Sequence, residues 1–467
     1  MDAGQGNSGE AAPGADGTAV PEINIEPGSP PRDDDPAYDS IREAEAVSQY
    51  ENLQLASVGR AAANRSSTKN STRRKSTIRQ SRSGSAGRSR GRSKTSSDRK
   101  GKAKGSSFAP QEGVKRYFRE NAPVQEILEA LLIPDDGEDI DGILRCLLAL
   151  EHCLETDPKN AQIVGDNPDG LSIIITMVGR YDTMDNIVAT SLWSLSNVAV
   201  SESLAQIVSS AGGDTCALEV LARTRPPEVV LHASIALLCN LALHESLREG
   251  LVHKLALTRT HRALDTYQQH EWIQYTAIQT LQNFANTASL CEKMMEENTI
   301  QRVVTAMKYF SDHEDLLQSS NWILSCLLFS VNDDQRQAIQ REHNIASVIM
   351  LSMKDSPDHI GVHFTGLSAL SNLGRNESLV DDLALAGIVE VCAGVLERHT
   401  SHEGVQMVAG RCLVVCASSA HAKRDYNRYK VRALCEAVRE RLPDSNASAE
   451  AAEAMRLYKG GSCCAIL

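Results

Sequence analysis

The strongest constraint on this chain is a pattern that returns about every 43 residues. The segments ATSLWSLSNVAVSESL, HASIALLCNLALHESL, YTAIQTLQNFANTASL and FTGLSALSNLGRNESL each run small and aliphatic residues up to an asparagine. Those asparagines are Asn197, Asn240, Asn283 and Asn372. The first two intervals are 43 residues; Cys326 stands 43 beyond Asn283, Asn372 another 46 on, and Cys416 a further 44. Upstream, LRCLLALEHCLETDPKNAQIV aligns with LWSLSNVAVSESLAQIV and sets His152 opposite Asn197. Seven units therefore fall between about 140 and 440.

A second marker fixes the register inside a unit. Fifteen residues after Asn197, Asn283 and Asn372 stand Gly212, Asn298 and Gly387, and Asn344 holds the same place with an offset of three. Glycine and asparagine adopt positive φ most readily, so a sharp corner between two helices is expected there. Pro226–Pro227 and Pro357 mark another joint, each just before an apolar helix. A unit thus reads as a short helix, a corner, a second helix, a loop and a longer third helix. One unit cannot cover its own apolar faces, whereas stacked units bury a continuous core.

This text resembles the armadillo repeat, with LWSLSNVA (192–199) and LSALSNLG (367–374) as near matches to its third helix. The resemblance implies an all-α fold, a right-handed α-solenoid of about seven three-helix armadillo repeats. It also implies that third helices line a concave groove where Asn197, Asn240, Asn283 and Asn372 bind the backbone of an extended peptide. An amide side chain suits that task because it offers a donor and an acceptor together. The competing reading is that these amides belong to the repeat and bond only neighbouring backbone. Importin-α, a soluble carrier of basic peptides, pairs such an asparagine with a tryptophan one turn earlier, which clamps Lys and Arg by cation–π contact. Here only Trp193 and Asn197 make that pair; Trp322 is expected at the same place in the groove but precedes Cys326 instead.

Charge divides the rest of the chain. Residues 1–55 hold 12 acidic and 2 basic residues, and 56–106 hold 16 basic and one acidic. Neither block has the apolar content to offset chain entropy, so disorder is expected. The expected organisation is an acidic disordered segment (1–55), a basic Ser/Arg-rich disordered segment (56–110), an N-terminal helical cap (111–139), repeats (140–442), then a C-terminal helix and tail (443–467). Residues 56–106 lack aromatics for base stacking, so they read as an electrostatic arm for anionic lipid, nucleic acid or the repeats themselves. In RRKST, Ser76 lies three residues after Arg73, a basophilic kinase site; a phosphate there adds a charge of about −1.5 to −2.

The chain closes on GGSCCAIL. Cys464 followed by two aliphatic residues and a leucine reads as a prenylation box of the geranylgeranyl type. A single lipid holds a membrane only marginally, so a second signal is expected: palmitoylation of Cys463 or the basic arm. No apolar run is long enough to span a bilayer. The first residues lack the basic start and apolar stretch of a secretory signal, and position 2 is not the glycine of myristoylation. The expected setting is the cytosol, at a membrane surface, or the nucleus, where thiols stay reduced. The cysteines show no paired CxxC, and His232, His253 and His270 read as scattered, so no metal, cofactor or catalytic constellation is expected. The expected function is a non-enzymatic, lipid-anchored scaffold that binds a protein partner in its groove. The alternatives are an importin-α-like carrier and a regulator of small GTPases, a role known for an armadillo protein.

Overall fold

The structure, a computed structural model, describes residues 123–132 and 139–459, all within one unit. Ser76, Cys463, Cys464 and both charged N-terminal segments lie outside the described residues. Among the described residues there are 23 α-helices and no strand. Two helices open the array, α1 (Val124–Leu132) and α2 (Ile140–Thr156). Seven triplets follow. The first is α3 (Lys159–Asp166), α4 (Gly170–Arg180) and α5 (Asp185–Val198); the second is α6 (Glu202–Ser210), α7 (Gly213–Ala222) and α8 (Glu228–Ala242). The third is α9 (Glu245–His253), α10 (Ala256–Thr266) and α11 (Glu271–Ala285); the fourth is α12 (Ala288–Glu296), α13 (Thr299–Tyr309) and α14 (Glu314–Ser330). The fifth is α15 (Asp333–His343), α16 (Ile345–Asp355) and α17 (Ile360–Leu373). The sixth is α18 (Val380–Ala386), α19 (Ile388–Arg398) and α20 (Glu403–Cys416); the last is α21 (Ala420–Arg428), α22 (Val431–Arg441) and α23 (Asn446–Lys459).

Third helices pack on one another in unbroken succession from α2 to α23, and second helices form a parallel layer from α1 to α22. This is an α-solenoid of armadillo-type repeats. The helix that precedes the tail, α23, packs on α20 and α22 as the third member of the last triplet. Its Tyr458 stacks on Tyr426, with centroids 4.0 Å apart, and donates to the Leu413 carbonyl. At the other end α2 exposes Arg145 and His152, where α5 buries Thr190 and Asn197 in the corresponding places. A polar outer face of this kind lets a solenoid stop in water.

What lets third helices stack is one small residue per unit. Six positions before each repeat marker stand Ser191, Ser234, Ala277, Ser320, Gly366 and Gly410, all buried. A Cβ on Gly410 would sit 2.8 Å from Cβ of Glu450 on α23, and one on Gly366 would sit 2.9 Å from Sδ of Met353. Larger side chains would hold the helices apart and open the core on both sides.

The corners between first and second helices are as expected at Gly212, Asn298, Asn344 and Gly387, whose φ values are 94°, 56°, 50° and 98°. Two more left-handed corners occur at Leu255 and Lys430 (φ 70° and 53°), where residue type gave no signal. Leu255 nevertheless lies fifteen residues after Asn240, the spacing seen in the other units. Architecture overrides propensity there, at a cost of about 1–2 kcal/mol per corner.

Burial also fixes the state of two histidines. His363 Nε2 faces the Met353 carbonyl at 3.0 Å, which can only accept, so the proton is on Nε2. His363 Nδ1 then accepts from His399 Nε2 at 2.7 Å. Burial pushes His363 down to about 4, against the favourable Met353 bond, and pushes His399 down as well. Between about pH 6.5 and 4 the unfolded chain therefore binds protons that the fold refuses, and stability falls as pH falls through that window. The expected loss from His363 is up to about 3 kcal/mol, read from urea unfolding at a series of pH values. In the same assay at pH 7.5, Gly410→Val is expected to cost more than about 2 kcal/mol through overpacking. Gly212→Ala, which meets no atom within 4 Å, should cost only the backbone strain of about 1–2 kcal/mol.

Candidate functional site

Three of the four repeat asparagines are turned along the solenoid, from their unit to the one before. Asn240 Nδ2 donates to the carbonyl and hydroxyl oxygens of Ser196 at 2.8 and 2.9 Å. Asn283 Nδ2 donates to the Cys239 carbonyl at 3.0 Å, and Asn372 Nδ2 to the Ser325 carbonyl at 3.0 Å. Asn197, Asn240 and Asn283 are buried, and Asn372 is half-buried. Ser196 lies in the last turn of α5, where carbonyls run out of intrahelical partners, whereas the Cys239 carbonyl also accepts the Leu243 N–H at 3.1 Å. The amide of one repeat thus ties itself to the third helix of the repeat before it. Of the two readings of these residues, the structural one accounts for the Nδ2 groups of Asn240, Asn283 and Asn372 in the free protein.

The open part of the third-helix face is a strip of half-buried rings. Trp193 on α5 meets His232 on α8 edge-on, with centroids 5.2 Å apart. His232 Nε2 lies 3.0 Å from the Thr276 hydroxyl on α11. That hydroxyl donates its own proton to the Trp272 carbonyl at 2.8 Å, so its oxygen accepts from His232 Nε2–H. Burial, and to a lesser degree the His270 imidazole, push His232 down to about 4, so the ring is neutral and its Nδ1 is an acceptor. Trp193, His232 and Trp272 are all half-exposed, a preformed run across three units. Trp322 is different: its ring is buried, and its Nε1 donates to Asn286 at 2.6 Å. It is a core residue and leaves Trp193 as the one ring of the expected pair on this face.

Beside this strip runs a rail of histidines that sequence reading took as scattered. His270, His313, His359 and His402 recur at intervals of 43, 46 and 43 residues, and each precedes a third helix. In every case Nδ1 accepts the backbone N–H three residues on, from Ile273, Leu316, Val362 and Val405, at 3.1 to 3.4 Å. The imidazole is the helix cap, in the position usually held by Ser or Asp. With Nδ1 an acceptor, Nε2 carries the proton, and in three of the four it points at a carboxylate of the preceding third helix. His270 reaches Glu228 at 3.3 Å, His313 reaches Glu271 at 3.9 Å, and His359 reaches Asp315 at 3.8 Å. The signal was present as four histidines on the repeat period, though not at the repeat marker.

Charge on this face is of one sign. Helices α5, α8, α11, α14 and α17 contain no Lys or Arg, and their carboxylates sit in the first turn: Asp185, Glu228, Glu271, Glu314 and Asp315. Asp185, Glu228, Glu271 and Glu314 follow the 43-residue period and are exposed. Among the described residues no group of His, Cys, Asp and Glu is disposed to hold a metal. Cys392, Cys412, Cys416 and Cys435 are buried, and burial drives the Cys416 thiol far above its ordinary value. No described helix is long and apolar enough to cross a membrane.

Neither a protein-family model nor a curated protein sequence matches the chain. Solved structures do. An engineered protein superposes with a TM-score of 0.61 at 16% identity, over 74% of this chain and 88% of its own. A structure concerned with the phosphorylation switch between cadherin and β-catenin superposes with a TM-score of 0.55 at 13% identity, over 71% of this chain and 60% of its own. A designed armadillo repeat protein for modular peptide recognition gives a TM-score of 0.45 at 17% identity, over 54% of this chain and 99% of its own. At these identities the first two likenesses establish the fold and nothing finer.

If the amide of Asn240 serves the solenoid, its removal is felt without any ligand. Asn240→Ala is expected to lower unfolding free energy by about 1–3 kcal/mol, and Asn240→Asp by more, because a carboxylate would face the Ser196 carbonyl. Thermal unfolding of the purified protein checks both. An unchanged Tm in Asn240→Ala would return the amide to the ligand.

Proposed function

We propose that this chain is a non-enzymatic scaffold that holds an extended segment of a partner protein on the third-helix face, and that a lipid on Cys464 fixes it at the cytoplasmic side of a membrane. The observation that carries the first half is the strip Trp193, His232, Thr276 and Trp272. Its three rings are half-buried around the buried Thr276, and a ring contact and a hydrogen bond hold them between units. Tryptophan presents a large apolar surface with little rotamer entropy to lose, which is why it anchors so many interfaces. The fold's neighbour in the cadherin and β-catenin work, a protein that engages a partner, supports the same use.

The second half rests on sequence. The motif CAIL supplies the cysteine, the aliphatic pair and the permissive leucine. Cys463 beside it, or the basic arm, supplies the further attraction that one prenyl chain requires. The two halves divide the work between the face that selects and the lipid that places.

They are also separable by experiment. Trp193→Ala combined with Trp272→Ala is expected to weaken peptides selected on the wild-type protein by display of extended sequences at least tenfold, or about 1.4 kcal/mol, without moving the protein off membranes. Cys464→Ser is expected to do the reverse: peptide affinity unchanged, membrane fraction lost, and no prenyl mass on the C-terminal peptide. Selected peptides that ignore both tryptophans would place the binding surface elsewhere. An unmodified Cys464 in the wild-type protein would remove the anchor.

A further inference from the structure

We propose that the basic segment between Arg60 and Lys104 is the resident occupant of the acidic edge of the third-helix face, laid along it as an intramolecular competitor for partners. The inference rests on the scaffold reading above and adds the regulation of that same face. Three observations meet. The edge carries one exposed carboxylate per unit, Asp185, Glu228, Glu271 and Glu314, with no Lys or Arg on those helices to neutralise it. Histidine Nε2 groups touch two of the four from one side, leaving both exposed. The segment itself holds 16 basic residues and one acidic.

The spacings agree as well as the signs. Packed helices lie about 8–10 Å apart, and three residues of extended chain cover about 10 Å. One cation in every third residue would therefore meet one carboxylate per unit. Reading every third position from Arg73 gives Arg73, Ser76, Arg79, Arg82, Ser85, Arg88, Gly91 and Lys94, five of eight basic. The other two phases, from Arg74 and from Lys75, give two of eight each. The chain is also placed to reach. Residues 105–122 join the segment to α1 and span up to about 60 Å when extended, so the segment can lie over the central units and run antiparallel to their order. The acidic residues of 1–55 are the competing partner, but they lack a fixed spacing, and a preorganised row loses less entropy on binding.

The test uses the full-length protein. Carbodiimide coupling at low salt, followed by peptide mass spectrometry of the monomer fraction, is expected to join Lys75 or Lys94 to Glu228, Glu271 or Glu314. The yield should fall at least fivefold at 0.5 M salt. It should fall equally at low salt in the variant Arg73→Glu, Arg79→Glu, Arg82→Glu and Arg88→Glu, which keeps both lysines. A synthetic peptide of residues 68–90, followed by tryptophan fluorescence, should then bind this variant at least fivefold more tightly than wild type, since all three tryptophans lie on third helices. Links from the segment to residues 1–55 in place of the third helices overturn the proposal, as do links confined to dimers, which would assign the segment to a second copy. Equal peptide affinity for variant and wild type also overturns it while leaving the face as a binding surface. A peptide that binds neither overturns it and removes basic ligands from the scaffold reading.

Discussion

The whole array depends on how closely one third helix can approach the next. A single position per unit, held by Ser191, Ser234, Ala277, Ser320, Gly366 and Gly410, sets that distance. Only when backbones come that near can Asn240 reach Ser196 and Asn283 reach Cys239 with a side chain of three heavy-atom bonds. The same approach brings His232 within 3.0 Å of Thr276 and His270 within 3.3 Å of Glu228. Neither the amide ladder, the ring strip nor the histidine rail would form at a wider pitch. A contact made of almost nothing, hydroxymethyl, methyl or hydrogen, is therefore what aligns the third-helix face.

The work of the unit is distributed by helix. First helices from α6 onward end in left-handed corners, and two of them lend arginines to the third helices. Arg248 donates to the carbonyls of Ala242 and Leu243, and Arg336 to that of Leu328, each near the end of a third helix. The central third helices, α5, α8, α11, α14 and α17, are free of Lys and Arg, and where they carry acid it sits in the first turn, where the helix dipole favours it. The result is a buried wall with one wet edge. Its charge comes partly from helix termination and partly from what is missing, and the two together give the edge a consistent sign.

Much of this was legible in sequence. Repeat length, three-helix texture and four corners follow from periodicity and from the φ preference of Gly and Asn. Leu255 and Lys430 escaped because the corner was sought by residue type; counting from Asn240 would have found the first. The asparagines were found, but a sequence does not say which way an amide points, and the donor went to the neighbouring helix. Trp322 was read as a groove ring on spacing alone; burial and its bond to Asn286 follow from units that only the fold brings together. The histidines were missed because imidazole is an uncommon cap and was weighed as a metal or catalytic group. Ser76 and Cys464, the expected phosphorylation and lipidation positions, lie outside the described residues.

The amide ladder has a direction. Asn240 bonds the last turn of α5 and Asn283 that of α8, so a unit is tied down by the one that follows it in the chain. During synthesis, then, α5 and α8 each emerge before the amide that ties them to the next unit, which stands at the next marker, 43 residues later. At about 5–20 residues per second that wait lasts roughly 2–9 seconds. The array is assembled as a moving front, always with one unfinished end exposed, and pauses in translation within a unit would hold that end open longer than pauses between units.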